Sequence, residues 1–468
     1  MKKYNVVICG GGSTYTPDML ELLVMLQKPF PLNKVVLYDI NAERQSVVGE
    51  FGKVLFEEYY PEVEFSYTTD KREAFDVIDF AFVQIRAGGL EMRKYDEKIP
   101  YKYGRIGQET CGAGGLAYGI RSVVQMLELI KDIRTYAKDA WIINYSNPAA
   151  IVAEACKVIY PEDKKIVNIC DMPTDVIGRY LPLIGKKRSE VDCIYFGLNH
   201  YGWFTQVLDK KTGKDLLPEI LTYITENYDR LREEAKARIR GEDDHWGIVF
   251  YHHLKMIKDF PYSLPNTYNL YYLYPKLSYE HYRPDHTRYD EVVAGREAHV
   301  FSFCKEVAVL GKMKGTKYDI TDKISPYTEF EGEMNSETVY SDNDVHAAYL
   351  VELVLSIINN KKELALVMVK NDGIVPNLDD GMMLEATCMI GKEEILPLRH
   401  GPVGQFEKGL LENQYACEHL LVEAILEEND QKLLQAFTEN RMIGDADVAK
   451  AIIKDFKEVN GGYWPNFR

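Results

Sequence analysis

The chain has 468 residues, of which 46% are hydrophobic, and its formal net charge at pH 7 is -16. This hydrophobic content is sufficient for a large packed core in one or two domains, and it excludes an intrinsically disordered chain. The acidic balance and the absence of any long run of lysine or arginine exclude non-specific binding to nucleic acid or to anionic membranes.

The lengths of the apolar segments and the spacing of the cysteines indicate the cellular compartment. The apolar run after Lys2 and Lys3 stops at a glycine cluster and is shorter than the apolar region of a signal peptide. No stretch is long enough to span a bilayer. The 8 cysteines form no CxxC pair, which is typical of free thiols in a reducing compartment. We therefore expect a cytoplasmic protein.

Strand and helix signals alternate along the first 200 residues. Short apolar runs predict strands at 4–9, 34–39, 80–85, 141–144, 165–169 and 193–196. The helices predicted between them include one with Thr16 as its cap and Pro17 as its first residue, one capped by Asn41, one at 116–136, and one that Pro148 opens. This alternation predicts an α/β fold with a doubly wound parallel sheet of Rossmann type.

The pattern changes after residue 200. Residues 215–245 are highly charged and predict an exposed helix, whereas 261–290 are rich in Tyr, Pro and Asn and predict irregular structure. Helical patterns dominate from Asp344 to the end, with strand-like stretches near 367–378 and 384–390. No flexible linker separates the two regions. We therefore expect an NAD-binding domain at 1–200 and a second mixed α+β, largely helical domain at 201–468 packed on it.

A glycine cluster between the first predicted strand and helix indicates a dinucleotide site. Gly10 and Gly12 match the first two glycines of the Rossmann fingerprint, while Tyr15 occupies the place of the third. A plain tight turn without a bound dinucleotide would account for such a glycine cluster equally well. Asp39 ends the second strand, where a carboxylate binds the ribose hydroxyls of NAD and repels the 2′-phosphate of NADP; its alternative role is a turn or cap residue. The two signals together favour NAD.

Four polar clusters follow predicted strands or lie between predicted elements. They are QETCG at 108–112, NYSNP at 144–148, CDMP at 170–173 and LNH at 198–200. Ligands of doubly wound folds bind beyond the carboxyl ends of the strands, so these residues are candidates for chemistry. Asp171 or Asn147 alone could equally cap the next helix.

Cys170 and His200 are candidates for a metal pair. A thiolate and an imidazole can converge from two strand ends, and two protein ligands leave positions for substrate oxygens and water, which is a catalytic arrangement. The alternative is a core cysteine beside a hydrogen-bonded histidine. Neither residue belongs to a spacing typical of a structural zinc site.

With these motifs in hand, the chain resembles glycoside hydrolase family 4 over nearly its whole length. The resemblance is carried by GGGSTYTP, IRAGG, MRKYDE, IGQETCG, NYSNPAAI, NICDMP, GLNHYGW, LPNTYNLYY, DHTR and NDGIVPNL. The family is similar in fold to the lactate and malate dehydrogenases. CDMP, QETCG and DHTR resemble its 6-phospho-α-glucosidase branch, whereas phospho-β-glucosidases more often carry CNVP.

The resemblance implies roles for particular residues. Cys170 and His200 match ligands of a divalent metal, usually Mn2+, and Asp171 and Tyr268 match the general acid and the base. The residues implied in binding are Asn147 and Arg93 for the substrate, Arg288 for the sugar phosphate, Ser13 beside the glycine loop, and Glu109, a carboxylate without a settled role. An isolated Arg93 or Arg288 would be a surface ion pair, but each stands in a matching motif, and an acidic chain must concentrate positive charge to bind a phosphate.

The activity implied is hydrolysis of 6-phosphoglucosides such as maltose 6-phosphate to glucose 6-phosphate by NAD- and metal-dependent redox elimination and addition. Elimination tolerates either anomer, so a 6-phospho-β-glucosidase stays open. A simple NAD-dependent dehydrogenase and a non-catalytic NAD-binding regulator are further alternatives. The resemblance implies a phosphorylated disaccharide as the partner, with no nucleic acid and no membrane, and a homo-oligomer, either a dimer or a tetramer, is expected for such a fold.

Overall fold

The structure, a computed structural model, describes residues 2–241, 244–281, 284–328 and 345–468. The first region alternates strands and helices as predicted. Its strands are β1 (Tyr4–Cys9), β2 (Leu32–Tyr38), β3 (Glu64–Thr68), β4 (Phe80–Val83), β5 (Trp141–Asn144) and β6 (Ile166–Asn168). Its helices are α1 (Thr16–Met25), α2 (Ala42–Tyr59), α3 (Lys71–Phe75), α4 (Gly89–Lys98), α5 (Gly112–Tyr136), α6 (Ala149–Ile159) and α7 (Met172–Tyr180).

These six strands pair in the order β3-β2-β1-β4-β5-β6, and every pair among them is parallel. The order reverses at β1 and β4, which is where doubly wound folds bind dinucleotides. The predicted Rossmann-type sheet is therefore confirmed. Its helix caps differ in one detail, because α1 begins at Thr16 with Tyr15 as its cap, so that Thr16 is the first helical residue.

Strand β1 is packed against the core on both faces of the sheet. Val6 and Ile8 pack into the core on one face of the sheet, and Val7 and Cys9 pack into the core on the other face. Because helices cover both faces, the four residues from Val6 to Cys9 are all buried and apolar, and this part of the strand does not alternate between polar and apolar residues. The carboxyl ends of β1, β4, β5 and β6 are consequently fixed from both sides.

Strands from the later part of the chain extend the same sheet. Strands β10 (Glu363–Lys370), β11 (Met383–Ile390) and β12 (Ile395–Pro397) add beyond β6 and give nine strands in total. They are antiparallel, and β10 joins β6 where Met368 pairs with Asn168. The predicted stretch at 384–390 thus lies in β11, whereas of the stretch at 367–378 only the part up to Lys370 is strand, and 371–378 form turns.

The prediction that 193–196 belongs to the parallel sheet was wrong. Strands β7 (Val191–Leu198), β8 (Tyr201–Asp209) and β9 (Leu264–Pro265) form a separate antiparallel sheet of three strands. The reason is a tight turn, because Leu198 pairs with Tyr201 and the chain reverses directly into β8. The hairpin attaches beside β11 through Thr387, whose Oγ1 accepts from the backbone N–H of Tyr195 at 2.9 Å.

Helices make up most of the remainder. The helices are α8 (Leu217–Glu226), α9 (Tyr228–Arg238), α10 (His245–Asp259), α11 (Asn269–Leu273), α12 (Pro275–His281), α13 (Arg288–Glu291), α14 (Ala298–Leu310), α15 (Thr321–Thr328), α16 (Val345–Asn359), α17 (Gln405–Glu427), α18 (Asp430–Glu439) and α19 (Ala446–Asn460). The single helix predicted at 215–245 is instead α8 and α9, with α10 beginning at His245. The described part of the predicted irregular stretch at 261–290 holds the two-residue strand β9, the short helices α11 and α12 and the start of α13, and Asp344 lies outside the described residues. None of the helices in the described ranges has the length and apolar character needed to cross a membrane.

Candidate active site

A cleft of about 990 Å³ opens at the carboxyl ends of the parallel strands. Beyond β1 and β2 it is lined by the glycine loop, and beyond β5 and β6 it reaches the polar clusters. The predicted site residues that line it are Gly10, Ser13, Asp39, Arg93, Glu109, Asn147, Cys170, Asp171, His200, Tyr268 and Arg288. Side chains from before and after residue 200 therefore line one cleft.

The glycine loop is built around Asp39. The backbone N–H of Gly12 donates to Oδ2 of Asp39 at 2.9 Å, and the N–H of Asn41 donates to Oδ1 at the same distance. Gly10 has a φ of 87°, and a Cβ there would lie 2.7 Å from the carbonyl oxygen of Gln84. A side chain at this position would thus be excluded by both the backbone conformation and the neighbouring strand.

Tyr15, which stands at the place of the third fingerprint glycine, packs against an arginine side chain. The guanidinium of Arg296 lies 3.9 Å from the centroid of the Tyr15 ring. Next to it, Arg44 donates to the carbonyl oxygen of Gly12 at 2.7 Å and pairs with Glu297 at 2.9 Å. The helical segment that carries Arg296 and Glu297 therefore packs directly on the glycine loop.

Cys170 and His200 are neighbours in space. The distance from Sγ of Cys170 to Nε2 of His200 is 3.6 Å, and both side chains are buried. His200 lies in the turn between β7 and β8 with a φ of 64°, a left-handed conformation that is uncommon outside glycine and is often found at functional sites. The turn aims the imidazole into the cleft from the second sheet.

Protonation of this pair is set by burial. Burial lowers the pKa of His200 to about 4, so its imidazole is neutral at pH 7, which is the form that binds metals. Burial, with the carboxyl groups of Glu385 and Asp171 adding to it, raises the pKa of the Cys170 thiol well above its ordinary value. A thiol in such a place ionises when a cation binds to it. Within the described parts of the chain, no group of three or more His, Cys, Asp or Glu side chains could hold a metal. The pair of Cys170 and His200 is a metal-ligand candidate because of its own geometry.

Glu385 is a buried carboxyl group that the sequence did not single out. Its Oε1 accepts a hydrogen bond of 3.2 Å from Asn199, the residue before His200. Burial raises the pKa of Glu385 to about 8, so the group is mostly protonated at pH 7. The signal that could have revealed it is a single acidic residue within the otherwise apolar strand β11.

Asp171 contacts Tyr145. The Tyr145 hydroxyl donates a short hydrogen bond to Oδ1 of Asp171. Asp171 stands at the cap position of α7, but its side chain makes no capping hydrogen bond. Burial, followed by the neighbouring charge of Asp171, raises the pKa of Tyr145 well above its ordinary value. The capping role that the sequence left open for Asp171 is thus wrong, and its carboxyl group faces the cleft.

Tyr268 lies against His200. The two rings meet edge to face with centroids 4.4 Å apart, and the Trp246 ring lies parallel to that of Tyr268 at 6.0 Å. Oδ1 of Asn266 accepts the backbone N–H of Tyr268 at 3.0 Å and fixes the turn. Burial raises the pKa of Tyr268 well above its ordinary value, so the phenol requires a nearby cation to act as a base at neutral pH.

Glu109 bridges two arginines. Its two carboxylate oxygens pair with Arg86 at 2.7 Å and with Arg93 at 2.9 Å. Burial opposes its ionisation, but the two guanidinium groups outweigh burial and lower the pKa of Glu109 below its ordinary value. Arg93 also pairs with Glu97 at 2.7 Å, so Arg93 forms buried ion pairs and not the surface pair of the alternative interpretation.

Arg288 stands at the first position of α13. Its guanidinium pairs with Glu291, one turn along the same helix. The start of the helix is held by Glu97, whose Oε2 accepts the N–H of Tyr289 at 2.7 Å. Arg288 therefore lies at the cleft on a segment that is tied to α4, the helix of Arg93.

Asn147 presents a polar atom to the cleft. Its Oδ1 is buried and has no hydrogen-bond partner among the described residues. Its backbone carbonyl accepts from Oγ of Ser122 at 2.8 Å, and its peptide bond to Pro148 is cis. A buried acceptor without a partner costs free energy, so its place in the cleft fits a ligand hydroxyl.

Comparison with known proteins agrees with this geometry. A family model described as family 4 glycosyl hydrolase matches residues 5–180, and a model of the C-terminal domain of the same family matches residues 195–443. The chain is 47% identical over 465 residues to the phospho-α-glucosidase PagL of Clostridium acetobutylicum, covering 99% of each protein.

Two solved structures are similar over their full lengths. One is a 6-phospho-α-glucosidase from gut microorganisms in complex with NAD and Mn2+, with 47% identity, a TM-score of 0.90 and 100% of each chain covered. The other is a 6-phospho-α-glucosidase from gut microorganisms in complex with NAD and glucose 6-phosphate, with 37% identity, a TM-score of 0.87 and the same coverage.

Proposed function

The chain belongs to family 4 of the glycosyl hydrolases, and we propose that it hydrolyses 6-phospho-α-glucosides such as maltose 6-phosphate to release glucose 6-phosphate. It uses NAD and a divalent metal ion, and the ion that we propose is Mn2+. The observation that carries the proposal is the meeting of Cys170, Asp171, His200 and Tyr268 in a cleft whose other end is the glycine loop.

The residues present fit NAD at the glycine loop. Gly10, Gly12 and Ser13 stand between β1 and the start of α1, where backbone N–H groups favour a pyrophosphate. Asp39 already accepts the N–H of Gly12, and its carboxylate would also bind the ribose hydroxyls. The negative charge disfavours the additional phosphate of NADP.

The residues also fit a divalent metal. A neutral imidazole and a thiol that lie 3.6 Å apart offer the nitrogen and sulfur donors that Mn2+ or a related ion can bind, with coordination positions left for the sugar and water. When both cofactors are bound, NAD supplies reversible oxidation at C3 of the sugar, and the metal supplies a Lewis acid beside C2 and C3.

The chain's own side chains then carry the proton transfers. Tyr268 removes the proton from C2, which the neighbouring cation makes possible by favouring the phenolate. Asp171 gives a proton to the oxygen that leaves from C1. Because one residue removes a proton and the other donates one, they need opposite protonation states at the start of the reaction.

The phosphate determines which sugars are accepted. Arg288 binds the phosphate through its planar guanidinium, and Arg93 and Asn147 bind the sugar ring. Arg86 and Arg93 pair with Glu109, and Arg93 also pairs with Glu97, whereas Arg288 pairs with Glu291 on its own helix. Three arginines at one cleft supply the local cations with which an acidic chain would bind a dianion.

The experiment is a substrate panel. Purified protein is incubated with α- and β-linked 6-phosphoglucosides and their unphosphorylated forms, each with and without NAD and Mn2+. We expect cleavage of α-linked phosphorylated substrates only when both cofactors are present, without net formation of NADH. Preference for β-linked substrates would reassign the chain within the family, and net NADH formation would indicate a dehydrogenase.

The proposal extends to organisation and location. We propose that residues 1–200 bind NAD and provide the metal ligands and the acid, whereas 201–468 provide the base and the phosphate-binding arginine. We further propose that the protein is cytoplasmic, where phosphorylated sugars are found, and that it forms a homo-oligomer, either a dimer or a tetramer. Light scattering of purified protein measures that assembly directly.

A further inference from the structure

The hydroxyl of Tyr145 and the carboxyl group of Asp171 form a contact that the proposed chemistry does not yet use. Tyr145 directly follows β5, and the residues that follow β6 lead to Asp171. These strands pair in parallel, so their carboxyl ends deliver the two side chains to the same place. The hydroxyl donates to Oδ1 of Asp171, and both residues line the cleft.

Tyr145 is itself held firmly. Its backbone N–H donates to the carbonyl oxygen of Val83 at 2.7 Å, which continues the pairing of β5 with β4. Its ring packs against the hydrophobic core on one face of the sheet. A side chain fixed at both its backbone and its ring can orient a hydrogen-bonded neighbour with little loss of entropy.

Asp171 does not make the capping hydrogen bond that is usual for an aspartate at its position. A cap residue of this type usually accepts an N–H from the second or third helical residue. The second residue of α7 is Pro173, which has no N–H, and Asp171 makes no side-chain capping bond. The sequence therefore removes one capping donor and supplies the Tyr145 hydroxyl instead.

We propose that Tyr145 is a positioning residue for the acid Asp171, an inference that rests on the function proposed above. The hydrogen bond from the Tyr145 hydroxyl to Oδ1 fixes the orientation of the Asp171 carboxyl group at the cleft. In the cleavage step Asp171 gives its proton to the leaving oxygen, the bond from C1 to that oxygen breaks, and Tyr145 keeps its own proton throughout.

Two substrates with different leaving groups test this role. A sugar hydroxyl leaves only with a proton, whereas a nitrophenolate leaves without one. We expect Tyr145→Phe to lower kcat for maltose 6-phosphate on the order of tenfold to a hundredfold, the loss that a misplaced catalytic group produces. For 4-nitrophenyl α-glucoside 6-phosphate we expect a change of less than about threefold, because general acid catalysis contributes little there.

Two further variants make the result interpretable. Asp171→Asn should show the same dependence on the leaving group, with a larger loss. Tyr60→Phe removes a buried hydroxyl far from the cleft, one that accepts the N–H of Leu32 at 3.0 Å, and it should lower the melting temperature without any such dependence. The melting temperature and the NAD affinity of Tyr145→Phe confirm that it is folded.

Three outcomes distinguish a failure of this inference from a failure of the proposed function. The role of Tyr145 would be overturned if Tyr145→Phe lost equal activity on both substrates, or if it kept the wild-type kcat on maltose 6-phosphate. Either result counts against Tyr145 alone when the activity loss of Asp171→Asn still depends on the leaving group. Independence of the leaving group in Asp171→Asn would overturn the role of Tyr145 together with the assignment of the acid. Wild-type protein that cleaves neither substrate would overturn the proposed function itself.

Discussion

The sulfur of Cys170 lies 3.6 Å from Nε2 of His200, although Cys170 follows the parallel sheet and His200 forms the turn of a separate antiparallel hairpin. The hairpin is held beside β11 by Thr387 and by the hydrogen bond from Asn199 to Glu385. The contact thus depends on long-range packing, and it places a soft and a borderline metal ligand together in a buried position.

A chelator should abolish the hydrolysis of maltose 6-phosphate, and Mn2+ should restore it. The physical reason is that Sγ of Cys170 and Nε2 of His200 lie 3.6 Å apart and offer a sulfur and a nitrogen donor, of which the thiol loses its proton when a metal binds. Activity and bound metal are measured together, the latter by elemental analysis. Cys170→Ser and His200→Ala should both stay inactive after Mn2+ is returned.

Cys156→Ser is the matched control for that experiment, since Cys156 is another buried free thiol and does not line the cleft. It should keep both bound Mn2+ and activity. Full activity in thoroughly demetallated wild-type protein would contradict the metal site.

Arg288→Ala should selectively weaken phosphorylated ligands. Loss of a charge-assisted hydrogen bond to phosphate costs on the order of 1.5 to 3 kcal/mol, which corresponds to roughly a tenfold to 150-fold weaker affinity. Affinities for glucose 6-phosphate and for glucose are compared by calorimetry. The difference between the two ligands should shrink, because only the phosphate contact is removed.

Arg230→Ala provides the comparison, because Arg230 is an exposed arginine that pairs with Glu234 on its own helix, much as Arg288 pairs with Glu291. It should leave both affinities unchanged. If Arg288→Ala keeps the wild-type preference for the phosphorylated sugar, the phosphate is bound elsewhere.

Asp39→Asn should narrow the preference for NAD over NADP. The amide still has an oxygen that can accept the N–H of Gly12, but it lacks the negative charge that repels a 2′-phosphate. Asp39→Ala should also lower NAD affinity by roughly tenfold or more, because the loop then loses its acceptor. Titration of each variant with both dinucleotides measures this, and an unchanged preference in both variants would contradict the assignment of Asp39.

Burial decides which strands can be recognised from sequence. Strand β1 is buried on both faces, so its apolar run predicts it directly. Strand β3 lies at the edge of the sheet with half-exposed side chains and has no comparable run, so it was not predicted. The sheet to which β7 belongs could not be predicted either, because its pairing depends on the turn at Asn199 and His200.

The site was predictable to the extent that its residues stand in local motifs. Cys170, Asp171 and His200 were predicted because polar residues follow apolar strands, and all three line the cleft. Glu385 and Tyr145 contact Asn199 and Asp171, which are distant in sequence, and no local spacing specifies those contacts. The arrangement of Glu109 between Arg86 and Arg93 is of the same kind, since it requires the loop of Glu109 to meet both the loop of Arg86 and helix α4.

Glu418→Gln should stabilise the protein at alkaline pH and have little effect near pH 4. Burial raises the pKa of Glu418 from an ordinary 4.5 to about 8, so the folded state holds this proton more tightly than the unfolded state. The stabilisation from the proton is complete below pH 4.5 and decreases as the pH rises to about 8. Over that range the wild type should lose up to about 1.4 kcal/mol per pH unit relative to the variant.

Urea unfolding of both proteins at pH 5 and at pH 8 measures this difference. Glu427→Gln, an exposed position on the same helix α17, should show no such divergence, because an exposed ion pair contributes little. A constant difference in unfolding free energy between the wild type and Glu418→Gln across the range would contradict the buried, protonated state of Glu418.

The fate of the C2 hydrogen of the substrate tests the central claim most directly. Glycosidases with a carboxylate pair never break the bond from C2 to hydrogen, whereas elimination breaks it in every turnover. Tyr268→Phe should therefore depress turnover by roughly a hundredfold or more, as expected for loss of a general base, and leave NAD affinity nearly unchanged. After complete hydrolysis of maltose 6-phosphate in heavy water by the wild-type protein, we expect deuterium at C2 of the released glucose 6-phosphate. Product that carries only protium at C2 would contradict the elimination route and the role of Tyr268.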